Sequence, residues 1–225
     1  MNNTKQPLVT ACLRSFGRPL RTKRMLECIS AQTFINFELL FMGDGCQQFA
    51  ELIKTEWFKR WTENFKLKGN RVYYFNQPNS SKDWGAKVTN IAIKIATGQY
   101  FVFLDNDDKI LPEHIQFYYR SITGFERSPD TKADFVYNPT LVYNGGNTWI
   151  MEPQLKEGSV GHGSLIVNTE FLKKMPPHEA VYGQDWKLIE NMARMGQGQK
   201  GAIAFPTYHV MSLPGKTEPG MENDI

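Results

Sequence analysis

Residues 85–115 read GAKVTNIAIKIATGQYFVFLDNDDKILPEHI. Val88, Ile91, Ala92 and Ile95 recur at helical spacing, which predicts an amphipathic helix over Trp84 to Thr97, with Gly98 as its C-cap. Tyr100 to Leu104 (YFVFL) is a short unbroken apolar run, the pattern of a strand buried on both faces. A helix feeding such a strand is half of a parallel βαβ unit, so a parallel sheet belongs at the centre. The strand runs straight into Asp105-Asn106-Asp107-Asp108, and Pro112 follows where a helix can begin.

The same alternation extends outward from this stretch. Leu8 to Leu13 is predicted as the first strand. Pro19 to Ala31 follows as a helix with Leu20, Met25, Leu26 and Ile29 on its apolar face. Phe37 to Met42 (FELLFM) is a buried strand ending at Gly43-Asp44-Gly45. Phe49 to Phe65 is predicted as one helix and Val72 to Phe75 as a third strand. Beyond about residue 130 the pattern changes. DFVYNPTLVYNGGNTWIM is predicted as a hairpin turning at Asn144-Gly145-Gly146, SLIVN as a strand, Val181 to Met195 as a helix and AIAFPTYHV as a last extended segment. The expectation is one α/β domain over 1–225: a mostly parallel central sheet flanked by helices, plus a smaller mixed sheet or hairpin. Its halves are 1–110 and 111–213, and 214–225 is a polar tail rich in Pro and Gly that is expected to be loose.

Composition narrows the function classes. With 41% hydrophobic and 22% charged residues, 225 residues can bury a globular core. A net charge of +3 is too mild to point to nucleic acid. Cys12, Cys28 and Cys46 are odd in number and form no C-x-x-C pair, as expected of free thiols in a reducing compartment. The apolar stretch before Arg14 (PLVTACL) is too short for a signal-peptide core, and no run approaches a membrane span, so the chain is expected to be soluble and cytoplasmic. The basic aromatic stretch WFKRWTENFKLKGNR admits peripheral association with a membrane. It fits a helix with a solvated Lys/Arg face better.

Acidic residues stand where strands end, the place where open α/β sheets bind ligands. Asp44, flanked by Gly43 and Gly45, suits hydrogen bonds to a base or ribose, and equally a simple turn. The three carboxylates of Asp105-Asn106-Asp107-Asp108 repel one another unless a cation or hydrogen bonds offset their charge. They suit Mg²⁺ or Mn²⁺ bridging a diphosphate, against the alternative of a solvated turn. An EF-hand loop is excluded, because Lys109 and Ile110 stand where Asp or Asn and then Gly are required. A phosphatase of the haloacid dehalogenase kind fits Asp105-x-Asp107 but not Lys109.

Three segments carry a family resemblance. SAQTFINFELLFMGDGC (30–46), the 85–115 stretch and VYGQDWKLIENMARMGQ (181–197) are similar, in this order, to conserved stretches of the inverting family 2 glycosyltransferases with the GT-A fold. The likeness spans roughly 8–120 and 160–210 and leaves the hairpin region unmatched. It implies a nucleotide-diphosphate sugar as donor, with UDP the expected nucleotide, and a glycan or other hydroxyl as acceptor. The first half would then bind nucleotide and the second the acceptor. The resemblance further implies that Asp44 holds the nucleoside, that Asp105 and Asp107 are the acids of a D-x-D motif with Asp107 the metal ligand, and that Asp185 is the catalytic base. His209 would be a third metal ligand or a structural histidine. Arg14, Lys87 and Asn106 would face the donor, and Lys216 in a lid hinged at Gly215 would add charge. Trp84 and Trp186 suit core packing as well as sugar stacking. The sequence departs from the family's pattern in three places: CLRSFGRP after the first strand, Thr89 at a basic position, and Gly43 for the first acid. Two other readings stand beside this one. An inactive nucleotide-sugar or glycan-binding module would lack the base. A sugar nucleotidyltransferase would need a Gly-rich loop that SFGRPLRTKR does not supply. The chain is read as a whole transferase domain or as a piece of a larger multidomain transferase.

Overall fold

The computed structural model describes residues 6–125, 132–144, 146–181, 183–203 and 205–211. The expected tail, with Gly215 and Lys216, lies outside them. Four parallel strands form one end of a seven-stranded sheet: β1 (Val9–Ser15), β2 (Phe37–Gly43), β3 (Arg71–Asn76) and β4 (Tyr100–Asp105). β6 (Phe135–Tyr137), β9 (Leu165–Asn168) and β10 (Gly198–Lys200) extend it in the order β3-β2-β1-β4-β9-β6-β10, and β9 alone runs antiparallel to its neighbours. A smaller sheet orders β5 (Lys109–Ile110), β11 (Tyr208–Val210), β7 (Thr140–Asn144) and β8 (Asn147–Met151).

The period of two along each strand divides the core into two layers. Val9, Ala11, Leu13, Tyr100, Val102 and Leu104 face one side. There they pack against α1 (Pro19–Ser30), α3 (Glu56–Leu67) and α5 (His114–Phe125). Cys12, Leu40, Met42, Phe101 and Phe103 face the other. They meet α4 (Ala86–Ile95) and α7 (Gln184–Met195). Every apolar residue of the YFVFL run is therefore buried, on one side or the other. β2 and β3 follow on one side of β1 while β4 lies on its other side, so the strand order reverses between β1 and β4, and the carboxyl ends of these two strands open into a crevice.

Several expectations are corrected. The stretch 49–65 is two helices, α2 (Gln47–Leu52) and α3, because the Thr55 Oγ accepts from the Phe58 N–H and starts a new helix. α4 begins two residues later than expected, since Trp84 (φ 58°) and Gly85 (φ 82°) are left-handed and Asp83 accepts from the Gly85 and Lys87 N–H groups. Gly98 is not the cap, for Ala96 ends α4. Gly98 is glycine because an added Cβ would lie 2.4 Å from the Thr10 nitrogen. Of the expected long hairpin only β7 and β8 pair, Asn144 opposite Asn147. Phe135–Tyr137 belongs to the large sheet. Among the described residues of the last extended segment, only Tyr208–Val210 is a strand. Among the described residues, no helix is long and apolar enough to cross a membrane.

Candidate functional site

The loops after β1, β2, β3 and β4 enclose a cavity of about 820 Å³. The sheet's own register builds its floor. Arg14 lies opposite Asp105 in the β1–β4 pairing, so both side chains emerge on one face at the strand ends. The Arg14 Nε and Nη2 donate to Asp105 Oδ1 at 2.9 and 2.5 Å. Burial works against the Arg14 charge, but Asp105 and Asp185 overcome it and raise its pKa further, so Arg14 is a permanent cation.

Asp107 also lines this cavity and pairs with Arg18, the left-handed residue ahead of Pro19 at the start of α1. The Arg24 Nη2 donates to the Asp107 carbonyl at 2.9 Å. Burial raises the Asp107 carboxyl, Asp105 raises it further, and Arg18 only partly offsets them. Asp108 turns the other way. It is buried, accepts from the Tyr208 hydroxyl at 2.7 Å and the Met211 N–H at 3.0 Å, and so ties β11 beneath the site. Burial and the two neighbouring carboxylates push it well up. Asn106 lines the cavity but is mainly a staple. Its Nδ2 donates to the Thr22 hydroxyl at 2.9 Å and to the Gly17 carbonyl at 3.3 Å, joining the β1 and β4 loops.

Asp44 sits at the far wall, buried, with its carboxylate already engaged. It accepts from the Ser81 Oγ at 2.6 Å, the Ser81 N–H at 3.1 Å, the Ser80 Oγ at 3.1 Å and the Gln77 Nε2. The loop after β3 hangs on this one carboxylate. The glycine beside it serves the same loop: a Cβ on Gly45 would fall 2.1 Å from the Ser80 nitrogen, and its φ is +65°. The close approach expected of a ligand is made here by the chain itself.

A second cavity of about 420 Å³ adjoins the first, and Arg14 and Trp84 line both. Asp185 lines it from the first turn of α7. His162, in a 3₁₀ turn at His162–Ser164, places Nδ1 2.8 Å from Asp185 Oδ1, and its N–H lies 3.5 Å from Oδ2. The His162 ring is buried and stacks on Phe103 (4.6 Å) and on His178 (5.0 Å). Loss of water around Asp185 pushes its carboxyl up, but His162 and Arg14 push it down harder. The net position is well below the usual carboxylate range. Burial, with His162 and Arg14 nearby, takes His178 down to about 3, so that ring is neutral.

Arg14, Asp44, Asp105, Asn106 and Asp107 thus meet in one cavity, with Asp185 next door. Lys87 and His209 are not brought there. Lys87 is exposed on α4, and Lys82 lines the cavity instead. His209 follows Tyr208 on β11. Tyr208 reaches Asp108, so the alternation along the strand turns His209 to the opposite face, where its ring lies 6.0 Å from that of Tyr143. The sequence reading missed Arg18, Lys82, the exposed Phe16 and His162. The strand-end rule marked their loops but not the individual residues, and Gly161-His162-Gly163 is no motif. Among the described residues no group of three or more His, Cys, Asp and Glu is set to hold a metal ion. Asp105 and Asp107 nevertheless fit a divalent cation. They offer two hard oxygen ligands to a cavity wide enough for a diphosphate to complete the shell.

The family model described as Glycosyl transferase family 2 matches residues 10–157. A glycosyltransferase of Rickettsia bellii, itself uncharacterised, is 32% identical over 101 residues, which is 44% of this chain and 13% of that protein. Among solved structures, TarS of S. aureus (residues 1–349, in complex with UDP-GlcNAc) superposes with a TM-score of 0.70 at 16% identity over 92% of this chain. A mannosyltransferase of Pyrobaculum calidifontis in complex with GDP-Man and Mn²⁺ gives 0.63 at 13% identity over 94%. This chain spans 59% of each of the two solved chains. The likeness shows the GT-A fold.

Proposed function

Because the chain belongs to glycosyl transferase family 2, whose model covers residues 10–157, we propose that it moves a sugar from a nucleotide-diphosphate donor to an acceptor hydroxyl, with inversion and with a divalent metal. The observation that carries this reading is the pair of adjoining cavities with Arg14 on the shared wall: carboxylates at the floor of one, Asp185 in the other. The donor's diphosphate lies over Asp105 and Asp107, its nucleoside toward Asp44. Asp107 and Asp105 would hold Mn²⁺ or Mg²⁺, which would supply Lewis-acid neutralisation of the departing diphosphate. The presence of Mn²⁺ in the mannosyltransferase complex supports that choice. Arg14 and Arg18 add fixed positive charge on the leaving-group side. Asp185 takes the proton of the acceptor hydroxyl as it attacks the anomeric carbon from the opposite cavity, so the configuration inverts. UDP is the first nucleotide to test, supported by the UDP-GlcNAc complex of TarS.

The test is a thermal-shift panel of UDP, GDP, dTDP and CMP, each with and without Mn²⁺. A ligand at about 100 times its Kd stabilises the folded state by about 2.7 kcal/mol. One diphosphate should raise the melting temperature, more so with metal. A flat response across the panel overturns the reading.

Asp44→Ala provides a narrower check. The carboxylate serves both the expected nucleoside and the 77–81 loop, so two losses are expected together. Nucleotide affinity falls, and the folded state loses about 1–3 kcal/mol because the buried Gln77 donor and the half-buried donors of Ser80 and Ser81 are left unmatched. Calorimetry and chemical denaturation on the same variant measure the two. Unchanged nucleotide affinity would remove Asp44 from the site.

A further inference from the structure

A sugar in transfer must touch both cavities. Its anomeric carbon is bonded to the diphosphate on one side and meets the acceptor oxygen on the other. Among the described residues, only Arg14 and Trp84 line both cavities. Arg14 is committed to Asp105 by two hydrogen bonds. Trp84 is 66% exposed, with its backbone at φ 58°.

Isolated exposed apolar side chains are common on proteins and carry no meaning alone. A bulky residue held at positive φ is rare, and such strain persists only where the surroundings over-determine it. Here they do. Asp83, ahead of Trp84, is buried and accepts from the Gly85 and Lys87 N–H groups at the start of α4. On the other side the Gln184 Nε2 donates to the Trp84 carbonyl at 2.6 Å. Gln184 is the immediate neighbour of Asp185. The residue that fixes the Trp84 backbone is therefore rigidly linked to the expected catalytic carboxylate, so the spacing between indole and base is set by the fold.

We propose that the indole of Trp84 is the platform on which the ring of the transferred pyranose lies, at the seam between the two cavities. The C–H face of a pyranose is apolar and flat enough to pack on an aromatic ring, while its hydroxyls stay free for polar groups. Resting on the donor reading above, this assigns the sugar, as distinct from the nucleotide, to Trp84.

The experiment compares each sugar donor with its own nucleoside diphosphate, by calorimetry in Mn²⁺: UDP-N-acetylglucosamine against UDP, and GDP-mannose against GDP. Wild type, Trp84→Ala and Trp84→Phe are titrated with each. The expected result is diphosphate affinity within about twofold in all three proteins, and a sugar donor about tenfold weaker on Trp84→Ala, recovered in Trp84→Phe. Melting curves of the three proteins show whether the loop stays folded in each variant. Equal loss for the sugar donor and its diphosphate would assign Trp84 to holding the loop, and no loss for either would remove it from the site. Both outcomes overturn the proposal while leaving the transferase reading intact. Wild-type protein that binds none of the four ligands overturns the transferase reading, and this proposal with it.

Discussion

Asp107→Ala should abolish the metal-dependent part of nucleotide diphosphate binding. The wild-type site holds three carboxylates within four residues, and they differ in what offsets their charge. Asp105 has the permanent Arg14 cation and Asp108 has the Tyr208 hydroxyl. Asp107 has Arg18, whose side chain is 44% exposed, and its carboxyl still stands above its ordinary value through burial and Asp105. Of the two carboxylates of this group that line the cavity, Asp107 has the more exposed cationic partner, so a divalent cation is most stabilised at Asp107. Losing only an outer partner of a metal ligand costs about 10–100-fold in metal affinity, so loss of the ligand should cost at least as much. In the variant Arg18 is released and can pair with the diphosphate directly, so metal-free binding should persist or rise. Calorimetry of UDP with and without Mn²⁺ separates the two effects. An undiminished gain from Mn²⁺ in Asp107→Ala would end the assignment.

What could be read in the sequence follows from what is local. The YFVFL strand was legible because burial on both faces needs only five apolar residues in a row. The acids after β2 and β4 were legible because strand ends point at the ligand side of an open α/β sheet. The Arg14–Asp105 pair was not. Residues 14 and 105 become partners only once β1 is known to lie beside β4, and strand order is a property of the whole fold. Arg18 and His162 were missed for the same reason: their partners Asp107 and Asp185 are distant in sequence, and no spacing links them. The error over Phe135–Asn144 has a similar origin. Two apolar runs flank Asn138-Pro139, and nothing local says that the first pairs with Leu165–Asn168 while the second crosses to β11. At His209 the period of two was available, but its reference, Tyr208 pointing at Asp108, came only with the structure.

Asp185→Asn separates an enzyme from a binding module, and its expected effect on turnover is the largest. Asp185 lies in the first turn of α7, where free N–H groups favour an anion, and that alone would make it an ordinary helix-start residue. Three observations go further. The side chain is 37% exposed and lines the second cavity, His162 stands 2.8 Å away on a buried ring stack, and Arg14 reaches it electrostatically from the wall shared with the first cavity. A helix-start role calls for none of these. The net lowering of its pKa keeps Asp185 ionised throughout neutral pH. Its charge is lost only as pH falls through the folded-state value, below the ordinary range, so any stabilisation from the His162–Asp185 pair also disappears at that acidic end. A carboxylate held so low is a weak base in water. An acceptor filling the cavity removes the water from its exposed side, which pushes the carboxyl up and strengthens it as a base at the moment the hydroxyl arrives. Asparagine keeps the shape and the contact with the His162 N–H but cannot accept the proton. Donor affinity should therefore stay near wild type, while turnover falls by a factor of about 10² or more. His162→Gln should retain measurable turnover with its acidic limb moved to higher pH, because the neighbour that holds Asp185 low is gone. Donor affinity and turnover measured on one preparation decide the matter. If Asp185→Asn loses donor binding, the residue is a structural cap. If its turnover is near wild type, the base lies elsewhere.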